Sequence, residues 1–386
     1  MMDNTDIIKQ IETVDWEFRD QDTQYLSHNI HRYSGKFIPQ IARSVMDIIS
    51  EEGDTILDPY VGSGTTALEA MISGRKCIGV DLNPLAILIS EVKTNVVPVA
   101  RLEQFRIDLK ASLETSINKQ TVLFDAPYCI SIDDINCDAR ISNEWNLKWY
   151  QPDVLEQLIL IYDVIESIDD ESLQKIAKVA FSSILRKSSN ASSRYPNVMY
   201  DKNHKKKPLP LKSFMDSIDD LINKLQDLSR QMREEQGDTT YVLGNNTRLS
   251  IDDNSVDAII THPPYVAAVP YAEYNCLSLE WLGYSSKELD SEITGGKRHR
   301  KDVADRFRID YEKMIAESYR VLKPGKYAFF MVGNPTANGK IVDLHEMTVE
   351  IANQVGYEYV YTAVRKGMNR RGNNMGEEYL EFFRKP

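Results

Sequence analysis

Cysteine is scarce: four residues in 386, at positions 77, 129, 137 and 276. No two are spaced as Cys-x-x-Cys, so neither a zinc site nor a disulfide framework is indicated, and buried thiols in a reducing cytosol are expected. Long hydrophobic runs are missing too, and nothing approaches the ~18 apolar residues of a membrane helix. Asp3, Asp6, Glu12, Asp15, Glu17 and Asp20 crowd the N-terminal stretch, where a signal peptide would not tolerate them. A soluble, cytoplasmic protein without membrane attachment or bound metal is therefore expected. Positive charge is in deficit, with a net charge of −12. That excludes a uniformly basic surface but not a local basic footprint, which matters more for nucleic acid than the sum.

Local footprints are present. Lys202–Lys207 holds Lys205, Lys206 and Lys207; KRHRK at 297–301 holds Arg298 and Arg300; RKGMNRR at 365–371 ends in Arg370 and Arg371. Each lies beside Gly, Pro or Asn rather than on an acid-paired helix face, the setting of phosphate contacts rather than of solvated helix charge.

Charged residues at 27% and hydrophobic ones at 42% are those of a globular protein long enough for one large domain or two ordinary ones. FIPQIARSVMDIIS (37–50) has helical spacing with Pro39 near its start. TILD (55–58) reads as a buried strand, then a glycine turn and a helix; CIGVDL (77–82) reads as a second strand, followed by a helix capped by Asn83 with Pro84 in its first turn. Two such units predict a parallel, doubly wound sheet. The next strand signal, TYVLGNN, comes only at 240, so 98–238 reads as a mainly helical insertion with amphipathic runs near 153–186 and 212–235. VDAIIT (256–261), a helix near 311–321 and KYAFFMVG (326–333) resume the sheet, and YEYVYTAV (357–364) with EYLEFFRK (378–385) form a closing antiparallel pair.

DPYVGSGTT (58–66) is the first chemical signal. Gly62 and Gly64 let the backbone turn under a ligand, and the helix after them aims its free N–H groups at a charged end. Asp81, at the end of the next strand, is placed to accept from ribose hydroxyls. A dinucleotide fingerprint fails because Ala67 stands where its third glycine belongs, and a P-loop fails for want of Gly-Lys-Ser/Thr. A ligand with a ribose and a small charged end but no pyrophosphate remains, and S-adenosylmethionine fits that description.

The second signal is THPPY (261–265). Pro263 and Pro264 stop a buried strand in a stiff loop with few donors. An exocyclic base amine is a poor nucleophile until its protons are accepted. The Pro263 carbonyl is one rigid acceptor, a neutral His262 imidazole can be a second, and Tyr265 offers a face for stacking. An unperturbed histidine titrates near ~6.5, so an acid limb in the rate is expected there.

Together DPYVGSGTTALEA, GVDLNP and THPPY resemble the amino-methylating DNA methyltransferases, whose usual forms read DPF-x-GSGTT and (Asp, Asn or Ser)-Pro-Pro-(Tyr, Phe or Trp). HNIHRYSGKFIPQIARSVMDII, VLKPGKYAFFMVG and EEYLEFFRK extend the resemblance to about two-thirds of the chain. It implies a class I S-adenosylmethionine-dependent methyltransferase fold, Rossmann-like with an antiparallel last strand. The core would be 1–97 and 239–386, with 98–238 an inserted target-recognition domain. Asp58, Tyr60, Gly62, Ser63, Gly64 and Thr65 would cradle the methionine end, Asp81 the ribose, and Asn246 the adenine, where the family usually has an acid. His262 departs from the family's Asp, Asn or Ser, which leaves the target base open. A downstream resemblance in YVAAVPYAEYNCLSLEWLG favours cytosine N4 over adenine N6. Double-stranded DNA is the implied substrate, with cognate restriction or defence proteins as candidate partners. Two alternatives remain: an RNA amino-methyltransferase, and a catalytically silent cofactor- or DNA-binding module.

Overall fold

The structure, a computed structural model, describes residues 4–36, 38–123, 143–195, 197–232, 237–266, 269–294, 302–337, 340–366 and 376–386. Its centre is a seven-stranded sheet. In chain order the strands are β1 (Thr55–Asp58), β2 (Lys76–Asp81), β3 (Thr239–Leu243), β4 (Val256–Thr261), β5 (Leu322–Gly333), β6 (Glu358–Lys366) and β7 (Glu377–Arg384). They lie side by side as β3-β2-β1-β4-β5-β7-β6. All neighbours from β3 to β5 run parallel, and β7 is antiparallel to both β5 and β6. The doubly wound sheet with an antiparallel last strand is the one the sequence leads one to expect.

The apolar runs of the central strands follow from burial on both faces. Ile56, Ala258, Ile260, Phe329 and Phe382 point to one side. Their neighbours Leu57, Ile259, Phe330 and Phe383 point to the other. The first side is covered by α1 (Asn4–Thr13), α2 (Pro39–Ile49) and α3 (Thr65–Ile72). Pro39 sits in the first turn of α2, and Asn83 caps α4 (Pro84–Lys93) by accepting from the Leu85 N–H at 3.0 Å.

Between β2 and β3 the chain forms α5 (Val99–Leu123), α6 (Asn143–Trp149), α7 (Pro152–Glu166), α8 (Glu171–Ser188) and α9 (Pro210–Gln231). The 153–186 run is two helices rather than one, because Asp170 caps a new start at Ser172 and Leu173. These helices do not enclose a separate core. Leu102 and Phe105 of α5, Leu158 of α7, Phe181 of α8 and Phe214 of α9 share one apolar cluster with Leu85, Ile89 and Val92 of α4. The insertion is thus an outer layer on α4, continuous with the sheet's own helices. Short helices α10 (Tyr271–Tyr274), α11 (Cys276–Trp281) and α12 (Ser286–Glu292) follow β4 and reach the same cluster. The helices α13 (Val303–Val321) and α14 (Leu344–Val355) cover the second face of the sheet. Among the described residues no helix is long and apolar enough to cross a membrane, and no cluster of His, Cys, Asp and Glu could hold a metal ion.

Candidate active site

From β1 the chain winds outward through β2 to β3, then returns to place β4 on the other side of β1. Beside such a reversal, open α/β sheets carry a crevice at the carboxyl ends of their strands. Here an open cleft lies there. Asp58 comes from the end of β1, Asp81 from the end of β2, Asn246 from just beyond β3, and His262 from just beyond β4; all four line it.

The glycine turn forms the floor. Tyr60, Gly62, Ser63 and Thr65 line the cleft, while Gly64 lies below them as the left-handed residue that starts α3, at φ +77°. A Cβ on Gly64 would stand 2.8 Å from Ser90 Oγ and 3.1 Å from Ser90 Cα. Gly64→Ala should therefore cost about 1–3 kcal/mol of stability through strain and overpacking, read as a lower urea midpoint with unchanged slope.

The two carboxylates are held in place from behind. Asp58 accepts from Thr261 Oγ1 at 2.6 Å, which ties the ends of β1 and β4 together, and from the Tyr60 N–H at 3.1 Å. Burial raises its pKa to about 6, against those hydrogen bonds. Asp81 accepts from the Asn83 N–H at 2.8 Å and the Gly62 N–H at 2.9 Å, and burial likewise raises it to about 6. Each carboxylate retains lone pairs for a ligand's ammonium or hydroxyl groups. Asn246 donates to the Pro59 carbonyl at 2.8 Å. Its Oδ1, like Ser63 Oγ, is buried without a protein hydrogen-bond partner. Two ionisable acids, two buried polar oxygens without protein partners and a glycine turn in the floor fit S-adenosylmethionine: Asp58 for its ammonium end, Asp81 for its ribose diol, and Asn246 for its base edge.

In the loop after β4, His262 and Pro264 line the cleft, while Pro263 and Tyr265 are buried behind them. His262 Nε2 and the Tyr265 hydroxyl lie 2.9 Å apart, with the rings edge to face. The Tyr265 ring, 8% exposed, rests on Gly333, where a Cβ would touch it at 3.4 Å. Gly333 pairs across the sheet with Glu378, and Glu378 with Arg365, whose guanidinium reaches its carboxylate at 3.1 Å. Burial lowers the His262 pKa to about 4; the Arg365 charge acts the same way, and the Gly35 backbone opposes both. His262 is thus neutral at any physiological pH, and the acid limb expected near the ordinary histidine value moves down with it.

Several cleft residues escaped the motif reading. Tyr33, Gly35 and Lys36 come from the segment before α2, Tyr271 from α10, and Thr294 from beyond α12. Tyr33 and Tyr271 stack with centroids 5.9 Å apart, and Tyr33 accepts from Asn83 Nδ2 at 3.3 Å. RYSGKF carried a signal through its family resemblance; Thr294 carried none. Of the expected phosphate contacts, Lys205 and Lys206 are exposed and Lys207 is half-buried, all just before α9, and none lines the cleft. Arg298, Arg300, Arg370 and Arg371 lie outside the described residues.

Comparison with known proteins agrees with this chemistry. Residues 7–91 match a family model described as DNA methylase. The chain is 24% identical to the Type II methyltransferase M.MvaI of Kocuria varians, over 92% of this chain and 87% of that protein. It is 23% identical to the Type II methyltransferase M.BsoBI of Geobacillus stearothermophilus, over 90% and 81%. Among solved structures, an S-adenosylmethionine-dependent methyltransferase of Methanosarcina mazei aligns over 88% of this chain and 96% of its own, at 12% identity and a TM-score of 0.34. With two carboxylates and a glycine turn for the cofactor, and a Pro-Pro loop beside them for a base amine, the chain is similar to the amino-methylating, S-adenosylmethionine-dependent DNA methyltransferases.

Proposed function

We propose that the enzyme methylates cytosine N4 at a specific site in double-stranded DNA, with His262 as an acceptor for the target amine. The observation carrying this reading is the position of His262: beside Asp58 and Asp81 in one cleft, at the end of β4, with burial holding it neutral. S-adenosylmethionine supplies an electrophilic sulfonium methyl group. The chain's own residues prepare the nucleophile. Pro263 has no N–H, so its end of the loop offers only a carbonyl, and a neutral imidazole keeps one acceptor nitrogen. The Tyr265 hydroxyl lies 2.9 Å from His262 Nε2 and also interacts with the Glu378 carboxylate. Tyr265, which the resemblance leads one to expect as a stacking face, is instead buried behind the cleft against Gly333, so its hydroxyl beside His262 rather than its ring face serves the site.

The preference for cytosine rests on HNIHRYSGKFIPQIARSVMDII (28–49) and on YVAAVPYAEYNCLSLEWLG (265–283), which resemble the N4 group. Target recognition is assigned to the helical insertion. Cognate restriction or defence proteins are the partners this reading implies, in the cytoplasm. The test is mass spectrometry of nucleosides from DNA of cells expressing the protein. N4-methylcytosine is expected. N6-methyladenine would overturn the base assignment, and unmodified DNA would overturn the reading as a whole. Purified tRNA is the control substrate, because 85 aligned residues are 32% identical to the tRNA (guanine(10)-N2)-dimethyltransferase of Methanocaldococcus jannaschii, covering 22% of this chain.

A further inference from the structure

The connection between α8 and α9, residues 189–209, has features that the cofactor cleft does not explain. Irregular loops longer than ~12–15 residues are usually either functional or disordered, and this one is held from two sides. Arg186, in the last turn of α8, donates to the carbonyls of Ser192 at 3.3 Å, Tyr195, and Asn197 at 3.1 Å. Gln151, just before α7, donates to the Lys205 carbonyl at 2.9 Å and accepts from the Lys207 N–H at 3.1 Å. An antiparallel bridge joins Ala191 to Tyr200.

What this frame presents is unusual for the chain. Tyr195, Met199 and Tyr200 are 54%, 48% and 41% exposed. Between and beside them stand exposed Arg194, Lys202, Lys205 and Lys206. The loop carries five cations and one acid, Asp201, in a protein of net charge −12. Tyr200 is braced edge-on by Trp149 and His204. The loop also borders the cleft's own wall: Asn197 Nδ2 reaches Glu273 Oε2 at 3.5 Å, two residues from the cleft-lining Tyr271.

A rigid surface that alternates cations with exposed aromatic and thioether groups complements a polyanion carrying flat apolar edges. We propose that residues 189–195 and 197–209 form a preorganised platform for duplex DNA beside the extruded base. Lys202, Lys205 and Lys206 meet phosphates, and Tyr195 and Met199 press on sugar and base edges. Arg186 and Gln151 are positioning residues that hold the platform in shape. This inference rests on the reading of the enzyme as a DNA amino-methyltransferase.

The test is fluorescence anisotropy of the intact protein on a duplex fragment that the wild-type protein methylates, over a series of salt concentrations. Lys205→Ala with Lys206→Ala should lower the log–log salt slope by about 0.9 per lost contact. Tyr195→Ala should weaken binding by about ten-fold at an unchanged slope, as loss of a stacking contact does. Arg186→Met should weaken DNA binding while cofactor affinity and melting temperature stay near wild type. Wild-type affinity and slope in the lysine and Tyr195 variants would overturn the platform while leaving the enzyme's function intact. Tighter binding to duplex RNA of the same sequence would overturn it as well. A wild-type protein that methylates no DNA would overturn both the platform and the functional reading beneath it.

Discussion

His262→Leu should slow single-turnover methyl transfer by about 30- to 1,000-fold, the roughly 2–4 kcal/mol lost when one oriented polar group is removed from an active site. Leucine keeps bulk beside Tyr265 but cannot accept a proton. Cofactor and DNA affinities should stay near wild type, which separates the loss from damage to folding. His262→Ser restores the acceptor usual in the family and should keep measurable activity. The pH profile distinguishes the roles further. The acceptor must be neutral, so activity depending on it is present above its pKa and lost as pH falls through it. With burial placing that pKa at about 4, the saturated wild-type rate should hold down to that region and not fall near the ordinary value of ~6.5. A leucine variant at wild-type rate would make the strand-end histidine structural.

The second large effect belongs to Asp81. Asp81→Ala should weaken S-adenosylmethionine binding by about 1–3 kcal/mol by removing the partner of the ribose hydroxyls, with DNA binding retained. Calorimetry giving unchanged cofactor affinity in a folded variant would remove β2 from the cofactor site. The pKa values of Asp58 and Asp81, raised to about 6, make a pH claim whose sign is opposite for free and bound protein. In the free protein an acid with a raised pKa binds its proton more tightly when folded, so its contribution falls as pH rises from about 4 to about 6. Asp81→Asn cannot ionise and should gain stability relative to wild type across that window. A cationic ligand favours ionised carboxylates, so the cofactor's shift in melting temperature should grow over the same window. Low-pH loss of kcat/KM for the cofactor near pH 6, with a saturated rate that persists to about 4, would assign the two limbs to different residues. A single limb shared by both quantities would refute that assignment.

Much of this site was legible in the residues because its chemistry is local. DPYVGSGTT specifies strand, left-handed turn and helix in nine consecutive positions, and glycine alone relieves the turn at Gly64. Asn83 and Pro84 announce α4 by capping chemistry, and Pro263–Pro264 can only end a strand. The strand order follows from two βα units and a closing pair, so Asp58, Asp81 and Asn246 meet at one end of the sheet by topology.

What the residues left open depends on burial and long-range pairing, which no window of sequence contains. The pKa of His262 is set by burial and by Arg365, more than a hundred positions away and brought near by the β5-β7-β6 pairing. The Tyr265 ring could settle behind the cleft because Gly333, on a different strand, leaves the space. The insertion read as a separate unit because its length and helical pattern resemble those of a domain. Only packing shows its apolar faces shared with α4. The three lysines looked like one cation cluster; Arg186 and Gln151, from two different helical approaches, give their loop a shape. Turns and caps are determined by the few residues that make them. Electrostatics and shared cores are determined by whichever distant residues the fold brings within a few ångströms, because desolvation and packing act across space rather than along the chain.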